Sequence, residues 1–393
     1  MEKEKCILVA IYGANDHTRF VEASLDELSK LIDTAGGEEV ARVVQRRQAP
    51  DPSTYLGKGK AREVKSLATR LGATCLVVDG PLRPAQEAAL SKLTGLRVRE
   101  RTDVILEIFA MHARSAEGKL QVKMAELQYK LGRLRGKGSE LSRLGGGMGT
   151  RGPGEQRLEE ERRRIRRQLG RVSRQLERLD KTRQANRKLR TRSGVPLVAL
   201  VGYTNVGKST LLRRLTGAEV AIEDKLFSTL DPHTGRTYLA SHRQEILVID
   251  TVGFVRELPP ELLRAFKATL DEISSAHLIV HVVDGASLEA AAQIRVVREL
   301  LGEMGAGEIP EILAVNKCDL MGTSSHSRVE RLLRESHTPH GVPWVLLSAE
   351  SGEGVDRLRN SIGECLFSDS PETFSPKAHS FCPRAIADVA TVP

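Results

Sequence analysis

The sequence predicts an α/β protein with a small N-terminal α/β domain, an antiparallel helical hairpin and a larger, doubly wound α/β domain. Short apolar runs alternate with helical patterns at both ends of the chain, and two apolar segments between them share one spacing. A glycine-rich turn at 202–209 follows a buried-strand pattern and precedes a helix start. The predicted domains are 1–112, 113–192 and 195–367, followed by a disordered tail at 368–393.

Length and cysteine usage restrict the class of protein. The 393 residues are enough for two or three domains with well-filled cores. No apolar run reaches the length of a membrane span, and the charged start leads into a strand pattern rather than a signal peptide. The five cysteines form no CxxC pair, which is typical of reduced thiols in a cytosolic protein.

Positive charge is concentrated in one stretch of the chain. The formal net charge is +9 and the sequence pI is near 9.4, so a polyanionic partner is expected. Residues 151–192 contain 16 Arg and Lys against 6 Asp and Glu, a net charge of +10, and the remaining chain therefore sums to −1. The basic character belongs to a single predicted element.

Strand and helix patterns alternate over residues 1–112. Together they predict a small α/β domain. The turn at 55–60 (Tyr-Leu-Gly-Lys-Gly-Lys) precedes a helix and could hold a phosphate, but it lacks the full phosphate-loop pattern, so we interpret it as a plain turn. The predicted strands are 6–12, 38–46 and 74–80, and the predicted helices are 20–34, 61–71 and 84–93.

The period of the apolar residues changes from Gly118 onward. On either side of a glycine-rich break, apolar residues are spaced alternately four and three positions apart, so that they form an apolar seam along one face of a helix. Each seam needs a partner helix to cover it. We predict that they pack on each other as an antiparallel hairpin, the alternative being two independent amphipathic surface helices. The seams are Leu120, Met124, Leu127, Leu131 and Leu134, and Ile165, Leu169, Val172, Leu176 and Leu179.

The connector at 136–154 and the helix that follows it have the properties of an RNA-binding element. Glycine backbone allows close approach, and the arginine excess in 155–192 is larger than internal ion pairing can use, although a solvated charged face is the alternative. Aromatic residues are nearly absent here, which favours recognition of RNA backbone or shape over base stacking. The predicted contacts are Lys137, Arg143, Arg151, Arg162, Arg163 and Arg166.

The C-terminal domain alternates strands with helices after the linker at 190–196. The pattern predicts a doubly wound sheet with helices on both faces. The predicted strands are 197–201, 236–240, 245–250, 277–284, 309–316 and 343–348, and the predicted helices are 258–276, 288–302, 328–336 and 355–366.

The turn at 202–209 (Gly-Tyr-Thr-Asn-Val-Gly-Lys-Ser) matches a phosphate-binding loop in its expected strand–turn–helix context. Its glycines let backbone N–H groups converge on an anion. Lys208 would place its charge on the β- and γ-phosphates, and the Ser209 hydroxyl would bind Mg²⁺. Asp250, which ends a predicted strand, would also hold Mg²⁺, and Gly253 would offer its N–H to the γ-phosphate.

Two further strand ends predict guanine as the base. The carboxylate of Asp319 can accept both N1–H and the exocyclic amino group of guanine, a pair of donors that adenine lacks. Asn316 would brace this site, the Lys317 stem would cover the base, and the Ala349 N–H could reach guanine O6.

Thr229 is the predicted switch threonine that binds Mg²⁺ only when the γ-phosphate is present.

Each of these short motifs alone could be an ordinary turn, but four in this order at strand ends of one sheet predict a Ras-like GTPase domain. The predicted catalytic residues are Lys208, Thr229, Gly253 and Asn205, and the predicted magnesium ligands are Ser209, Thr229 and Asp250. The predicted GTP contacts are Gly202, Tyr203, Thr204, Asn205, Val206, Gly207, Lys208, Ser209, Phe227, Ser228, Thr229, Leu230, Asp231, Asp250, Thr251, Val252, Gly253, Asn316, Lys317, Cys318, Asp319, Ser348, Ala349 and Glu350.

With these motifs in place, the chain from residue 6 to about 367 resembles the HflX family of ribosome-binding GTPases. The glycine-arginine stretch at 145–155 is the most family-specific part of the resemblance. The resemblance implies docking on the large ribosomal subunit, a role in splitting or rescuing stalled ribosomes, and ATP binding by the N-terminal region of some members. The other stretches that carry it are 55–60, 101–102, 117–122, 226–232 and 250–255.

The resemblance is incomplete at the C-terminus. Family members often have a further small domain, and the tail at 368–393 does not resemble one.

The expected partners are GTP or GDP and the rRNA of the large subunit. We expect a monomeric, cytoplasmic protein that associates with ribosomes or with a membrane surface.

The residue after the Asp-x-x-Gly motif predicts slow intrinsic hydrolysis. Ras-like enzymes place glutamine there to orient the attacking water, whereas this chain has Phe254. A partner would then supply that function.

A second hypothesis is that Asn205 helps to hold K⁺ near the phosphates. Two alternatives stay open, namely an RNA-binding switch with little turnover and an ATP-driven RNA remodeller that uses the N-terminal domain.

Overall fold

The computed structural model describes residues 3–13, 18–144, 153–192, 194–217, 226–227, 233–256, 258–265, 272–322 and 325–367. These residues form two compact units. The first contains the described residues up to Lys181 together with Leu258–Ala265, and the second contains the other described residues. None of the described helices has a stretch both apolar enough and long enough to cross a bilayer.

The first unit begins with a parallel sheet in the strand order β2-β1-β3-β4. Its apolar core lies on the face that carries Ile7 and Leu76, where α2 and α3 contribute Val64 and Leu90. The strands are β1 (Glu4–Tyr12), β2 (Gly37–Arg46), β3 (Cys75–Val78) and β4 (Arg97–Glu100), and the helices are α1 (Thr18–Thr34), α2 (Lys58–Leu71), α3 (Pro84–Thr94) and α4 (Arg101–His112). Neither β4 nor α4 was predicted.

A buried arginine connects α4 to the rest of this unit. The Arg101 side chain is 3% exposed, and its guanidinium pairs with Asp79 at 2.7 Å and with Glu27 of α1. A buried charge is tolerated only when it is paired in this way. Arg101, one of the residues that carries the family resemblance, therefore has a structural function in this chain.

The predicted hairpin is present as α5 (Ala116–Leu144) and α6 (Pro153–Arg192). Both seams contribute to one apolar cluster around Leu127, Ile165 and Val172, which excludes the alternative of two independent surface helices. Leu179 differs from the other seam residues because it is 36% exposed. The loop predicted from residue 136 is also partly wrong, since α5 continues as a helix through Leu144.

The second unit contains the predicted doubly wound sheet, in the order β10-β9-β8-β5-β7-β6. All neighbouring strands are parallel except β6 and β7, which pair antiparallel. The strands are β5 (Leu197–Gly202), β6 (His233–Leu239), β7 (Gln244–Asp250), β8 (Leu278–Asp284), β9 (Glu311–Asn316) and β10 (Trp344–Leu346).

Helices flank this sheet at the predicted places: α7 (Lys208–Thr216), α9 (Ala290–Glu303), α10 (Ser325–Glu335) and α11 (Val355–Phe367). The helix predicted at 258–276 differs, because the structure has α8 (Pro260–Ala265), which belongs to the first unit, and a 3₁₀ turn at Ile273–Ser275 in the second unit, with 266–271 outside the described residues. The strand register aligns Leu200 with Asp250 and Asp284 with Asn316. The loops that carry the motifs therefore meet at the carboxyl edge of the sheet.

Candidate functional site

A cavity of about 360 Å³ lies at this carboxyl edge. Fourteen of the predicted nucleotide contacts line it, together with Thr210 and Leu320, which were not predicted. A concave site at the switch point of a doubly wound sheet is where ligands bind in this architecture. The predicted residues that line it are Thr204, Asn205, Gly207, Lys208, Ser209, Phe227, Thr251, Gly253, Asn316, Lys317, Asp319, Ser348, Ala349 and Glu350.

The other predicted contacts fall into two groups. Gly202, Tyr203, Val206, Asp250, Val252 and Cys318 belong to the same loops but do not line the cavity. Ser228, Thr229, Leu230 and Asp231 lie outside the described residues. The predicted switch threonine is in this second group, so its contact with Mg²⁺ stays a prediction.

The loop between β5 and α7 has the backbone that a phosphate nest requires. Asn205 has a φ of 59° and Gly207 a φ of 94°, which turn successive N–H groups toward one side. Gly207 also lies against the base-recognition loop, because a Cβ there would be 2.3 Å from Asn316 Nδ2. Only glycine satisfies both constraints at this position.

Lys208 is buried across this loop, with 6% of its surface exposed. Its Nζ donates hydrogen bonds to the carbonyl oxygens of Tyr203 at 2.7 Å and Gly202 at 3.2 Å. Burial disfavours the charged ammonium and lowers the pKa of Lys208 to about 8, although the nearby Asp250 carboxylate opposes this effect. Burial of the charged ammonium therefore costs electrostatic free energy, and a bound anion would offset this cost.

Ser209 and Asp250 form a pair of hard oxygen donors next to Lys208. The Ser209 hydroxyl donates to Asp250 Oδ2 at 2.6 Å, and Asp250 is fully buried. Hydroxyl and carboxylate oxygens are the ligands that Mg²⁺ takes beside substrate phosphates. The donor set therefore fits a magnesium ion, which Ser209 and Asp250 would hold and which would supply positive charge to stabilise the phosphates during hydrolysis.

The segment after Asp250 is attached to the phosphate loop by backbone hydrogen bonds. The Thr204 N–H donates to Phe254 O at 2.8 Å, and the Phe254 N–H donates to Gly202 O at 3.1 Å. The Phe254 ring is 1% exposed and does not line the cavity. It occupies the core at the position where glutamine would orient water.

Tyr203 adds a side-chain link between these two segments. Its hydroxyl accepts a hydrogen bond from the Arg256 backbone N–H at 2.6 Å. The Arg256 guanidinium pairs with Glu289 at 2.8 Å. Neither Arg256 nor Glu289 was predicted, because the two are far apart in sequence and neither belongs to a short motif.

Asn316 connects three loops at the base end of the cavity. Its Nδ2 donates to Val206 O in the phosphate loop at 2.7 Å, and its Oδ1 accepts from the Ala349 N–H at 2.8 Å. The Ala349 N–H, which is predicted to reach guanine O6, thus has an intramolecular acceptor in this structure, and its contact with the base stays a prediction.

Two further side chains hold this end, the predicted Lys317 and Arg214, which the motifs did not reveal. Lys317, with a φ of 64°, donates to Asn205 O at 3.0 Å and pairs with Asp284 at 2.7 Å. Arg214 of α7 donates to Ala349 O at 3.0 Å and also to Glu350 O. Asp319 lines the cavity beside them.

The predicted RNA contacts on α6 differ in exposure. Arg163 and Arg166 are 65% and 52% exposed, whereas Arg162 is 22% exposed and donates to Leu134 O at 2.9 Å. Arg162 therefore connects the two hairpin helices. Lys137 and Arg143 belong to α5, but their side chains, and Arg151 altogether, lie outside the described residues.

Comparison with known proteins decides the family. Family models described as "GTP-binding GTPase N-terminal", "GTP-binding GTPase Middle Region" and "50S ribosome-binding GTPase" match residues 22–110, 112–190 and 197–317. A GTPase HflX from Caldanaerobacter subterraneus is 42% identical over 371 residues, covering 94% of this chain and 82% of the relative. The chain belongs to the HflX family of GTPases. The HflX proteins of Lacrimispora saccharolytica and Escherichia coli are 45% and 41% identical, covering 91% and 92% of this chain and 82% and 83% of the relatives.

The resemblance inferred from the sequence motifs is thereby confirmed. This HflX-family protein is a GTPase, a hydrolase that binds GTP and converts it to GDP and phosphate. The cavity at the carboxyl edge of the second sheet is lined by fourteen of the residues that the motifs predict as nucleotide contacts.

Proposed function

We propose that this HflX-family GTPase associates with the large ribosomal subunit and acts in splitting or rescuing ribosomes, or in their biogenesis. The observation that carries the proposal is an arginine-rich, solvent-exposed surface on α6 in a chain whose GTPase domain matches the model described as ribosome-binding. The exposed basic side chains on this helix are Arg157, Arg163, Arg164, Arg166, Arg167, Arg171, Arg174, Arg178 and Lys181.

The acidic residues of α6 do not neutralise this surface. Glu159 is shared by Arg162, Arg163 and Arg166 at distances from 3.5 to 3.8 Å. Exposed ion pairs of this kind contribute at most about 1 kcal/mol each, so phosphate groups can replace them. Contact with rRNA phosphates would then make binding weaken steeply as salt concentration rises. Cytoplasmic location belongs to the same proposal, because ribosomes work there.

The geometry of the cavity supports a proposed role for each site residue. Lys208 would hold the β- and γ-phosphates, Ser209 and Asp250 would hold Mg²⁺ together with Thr229, and the Gly253 N–H would meet the γ-phosphate. Asp319 would select guanine. Asp319→Asn should lower the affinity for GTP at least about 100-fold and favour xanthosine triphosphate, because the amide presents one donor and one acceptor. Unchanged preference for guanine in competitive nucleotide titration would remove this assignment.

Intrinsic hydrolysis is expected to be slow. Phe254 is buried and cannot orient the attacking water, so that function would come from a partner, with the ribosome as our proposal. Asn205 lines the cavity next to the phosphate region and would help to hold K⁺ there. Phosphate release in the presence of ribosomes should therefore be faster in K⁺ than in Na⁺ at equal ionic strength. Equal rates in the two salts would exclude the K⁺ hypothesis.

A second candidate is an RNA-binding switch that turns over little GTP. The burial of Phe254 favours it, because the chain itself offers no side chain at the position where water is usually oriented. Stimulation of phosphate release by ribosomes separates the two candidates. If release stays at the intrinsic rate under saturating ribosomes, the switch is the better description.

Sucrose-gradient co-sedimentation with separated ribosomal subunits tests the main proposal. The full chain is loaded with GDP or with a non-hydrolysable GTP analogue, and binding to the large subunit is expected with the analogue. Equal binding in both nucleotide states would contradict nucleotide control, and no binding to the large subunit would contradict the proposal itself.

A matched pair of surface variants identifies the contact. Arg163→Ser should weaken binding to the large subunit, whereas Arg331→Ser on α10 should not. The two arginines have almost the same exposure, 65% and 63%, and each has a glutamate four residues away as its ion-pair partner. Equal effects of the two substitutions would show that total charge, rather than α6, determines binding.

A further inference from the structure

A group of metal-ligating side chains lies in the first unit, remote in sequence from the GTPase motifs. Single ligand atoms of Glu4, Cys6 and Cys75 lie within 4.8 Å of one another. Glu4 and Cys6 are two residues apart on β1, and Cys75 is the direct partner of Cys6 on β3. Alternation along the strands therefore points all three side chains to the same face of the sheet.

We propose that Glu4, Cys6 and Cys75 bind one divalent, thiophilic metal ion, with Zn²⁺ as the occupant. Zn²⁺ binds thiolate sulfur at about 2.3 Å and carboxylate oxygen at about 2.1 Å, and three ligand atoms this close can converge on one ion. Mg²⁺ and Ca²⁺ prefer oxygen ligands and would not compete for a site with two sulfurs.

The surroundings of the sulfurs hold them in position beside Glu4. The Cys6 thiol donates a hydrogen bond to the Glu4 carbonyl oxygen at 3.5 Å, and metal binding would release the proton of this bond. The strand register shifts between Cys6 and Ile7 against β2, an irregularity of the kind found next to functional sites.

Charge balance supports the assignment. A divalent ion with two thiolates and one carboxylate has a net charge of −1, since binding replaces the two thiol protons. The Arg99 guanidinium lies 3.7 Å from the Glu4 carboxylate and also bonds to Glu107. Arg97 approaches the other oxygen of Glu4 at 3.5 Å. These cations would offset the charge of the loaded site.

The site is closed on the sulfur side and open at Glu4. Cys6 is 2% and Cys75 0% exposed, whereas the Glu4 side chain is 33% exposed. An ion would therefore enter past the carboxylate. Three protein ligands leave one position of a tetrahedral ion for water on the Glu4 side.

Cobalt substitution of the full chain tests the proposal. Chelator-treated, reduced protein is titrated with Co²⁺, which takes zinc sites and gives a thiolate-to-metal charge-transfer band. We expect one ion per chain with this band, and displacement by Zn²⁺. Cys75→Ser and Cys6→Ser should each abolish the band, and Glu4→Gln should weaken binding more than about tenfold, since even outer partners of a metal site contribute that much.

Cys365→Ser is the matched control, because this partly buried thiol lies in the second unit. It should leave the band and the stoichiometry unchanged. Far-UV circular dichroism and GTP binding of each variant show whether the fold is retained, and Zn²⁺ should raise the melting temperature of the wild type but not of Cys75→Ser. A wild type that gives no charge-transfer band, a band that persists in Cys75→Ser, or a Cys6–Cys75 disulfide in place of metal binding would overturn the proposal.

Discussion

Two loops of this protein connect a strand to a helix and contain glycine and lysine, yet they differ in almost every physical property. The loop before α7 turns Asn205 and Gly207 to positive φ and buries the lysine that follows. In the loop before α2, Gly57 has a φ of −60° and its N–H is used by the Gln45 side chain at 2.9 Å. Lys60 in that helix pairs with Glu63 at 2.9 Å.

The difference shows what converts such a turn into a phosphate site. Residue types alone are similar in the two loops, but only the loop before α7 combines a φ of 59° at Asn205 and of 94° at Gly207 with a lysine held between its own carbonyl oxygens. In the loop before α2, the Gly57 N–H and the Lys60 ammonium are used by side chains of the protein. Backbone conformation and the position of the lysine, rather than glycine and lysine content, distinguish the two.

Substitution of the two lysines should give the largest contrast. Lys208→Ala should weaken GTP binding at least about 100-fold, because it removes charge-assisted hydrogen bonds to the phosphates from a buried site. Lys60→Ala should leave GTP affinity within about twofold, since it breaks only an exposed ion pair. Equilibrium titration with a fluorescent GTP analogue measures both. A comparable loss in Lys60→Ala would mean that the loop before α2 also contributes to nucleotide binding.

Substitution of the glycines should give a smaller contrast in stability. Gly207→Ala should lower the free energy of unfolding of the second unit by about 2 kcal/mol or more, because alanine disfavours a φ of 94° and its Cβ would lie 2.3 Å from Asn316 Nδ2. Gly57→Ala should change stability by less than about 0.5 kcal/mol. Its Cβ would meet only the ends of flexible side chains, Arg47 at 3.1 Å and Gln45 at 3.2 Å.

Urea unfolding measures the stability of the Gly207→Ala and Gly57→Ala variants. The fluorescence of Trp344, the single tryptophan of the chain, reports on the second unit, and far-UV circular dichroism follows both units. Equal destabilisation by the two alanines would show that backbone conformation does not distinguish the loops.

The same comparison explains how far the sequence could predict the molecule. The second sheet and its cavity were predicted because each motif lies directly after a strand, so local sequence defines both the element and its function. The links made by Arg214, Asp284 and Glu289 were not predictable in this way. Each joins segments distant in sequence and depends on side-chain direction in the folded chain.

In the first unit, β4 and α4 were missed for a different reason. The four residues of β4 (Arg-Val-Arg-Glu) lack an apolar pattern, although three of them are buried. Helix α4 is buried on several sides, from Arg101 to Phe109, so its apolar residues show no amphipathic period. The Gly-containing segment at 136–144 was predicted as a loop, but the helix continues through it because glycine is tolerated at modest cost.

The smallest expected effect concerns the protonation of Lys208. Burial lowers its pKa to about 8 in the free protein, and bound polyphosphate would raise it, so GTP binding should take up a proton. At pH 8.5, uptake should exceed about half a proton per nucleotide, and affinity should fall about tenfold between pH 7 and pH 9. Titration calorimetry in buffers of different ionisation enthalpy measures the uptake. Phosphate groups with a pKa near 6 stay ionised throughout this range and do not contribute.

Lys208→Arg provides the control for this titration, because a guanidinium stays charged over the whole range and its complex should show no proton uptake at pH 8.5. A wild type without uptake would mean that Lys208 is already fully protonated before GTP binds. The buried Lys208 would then differ from the partly exposed Lys60 only in position, and the two loops would no longer differ in the electrostatics of their lysines.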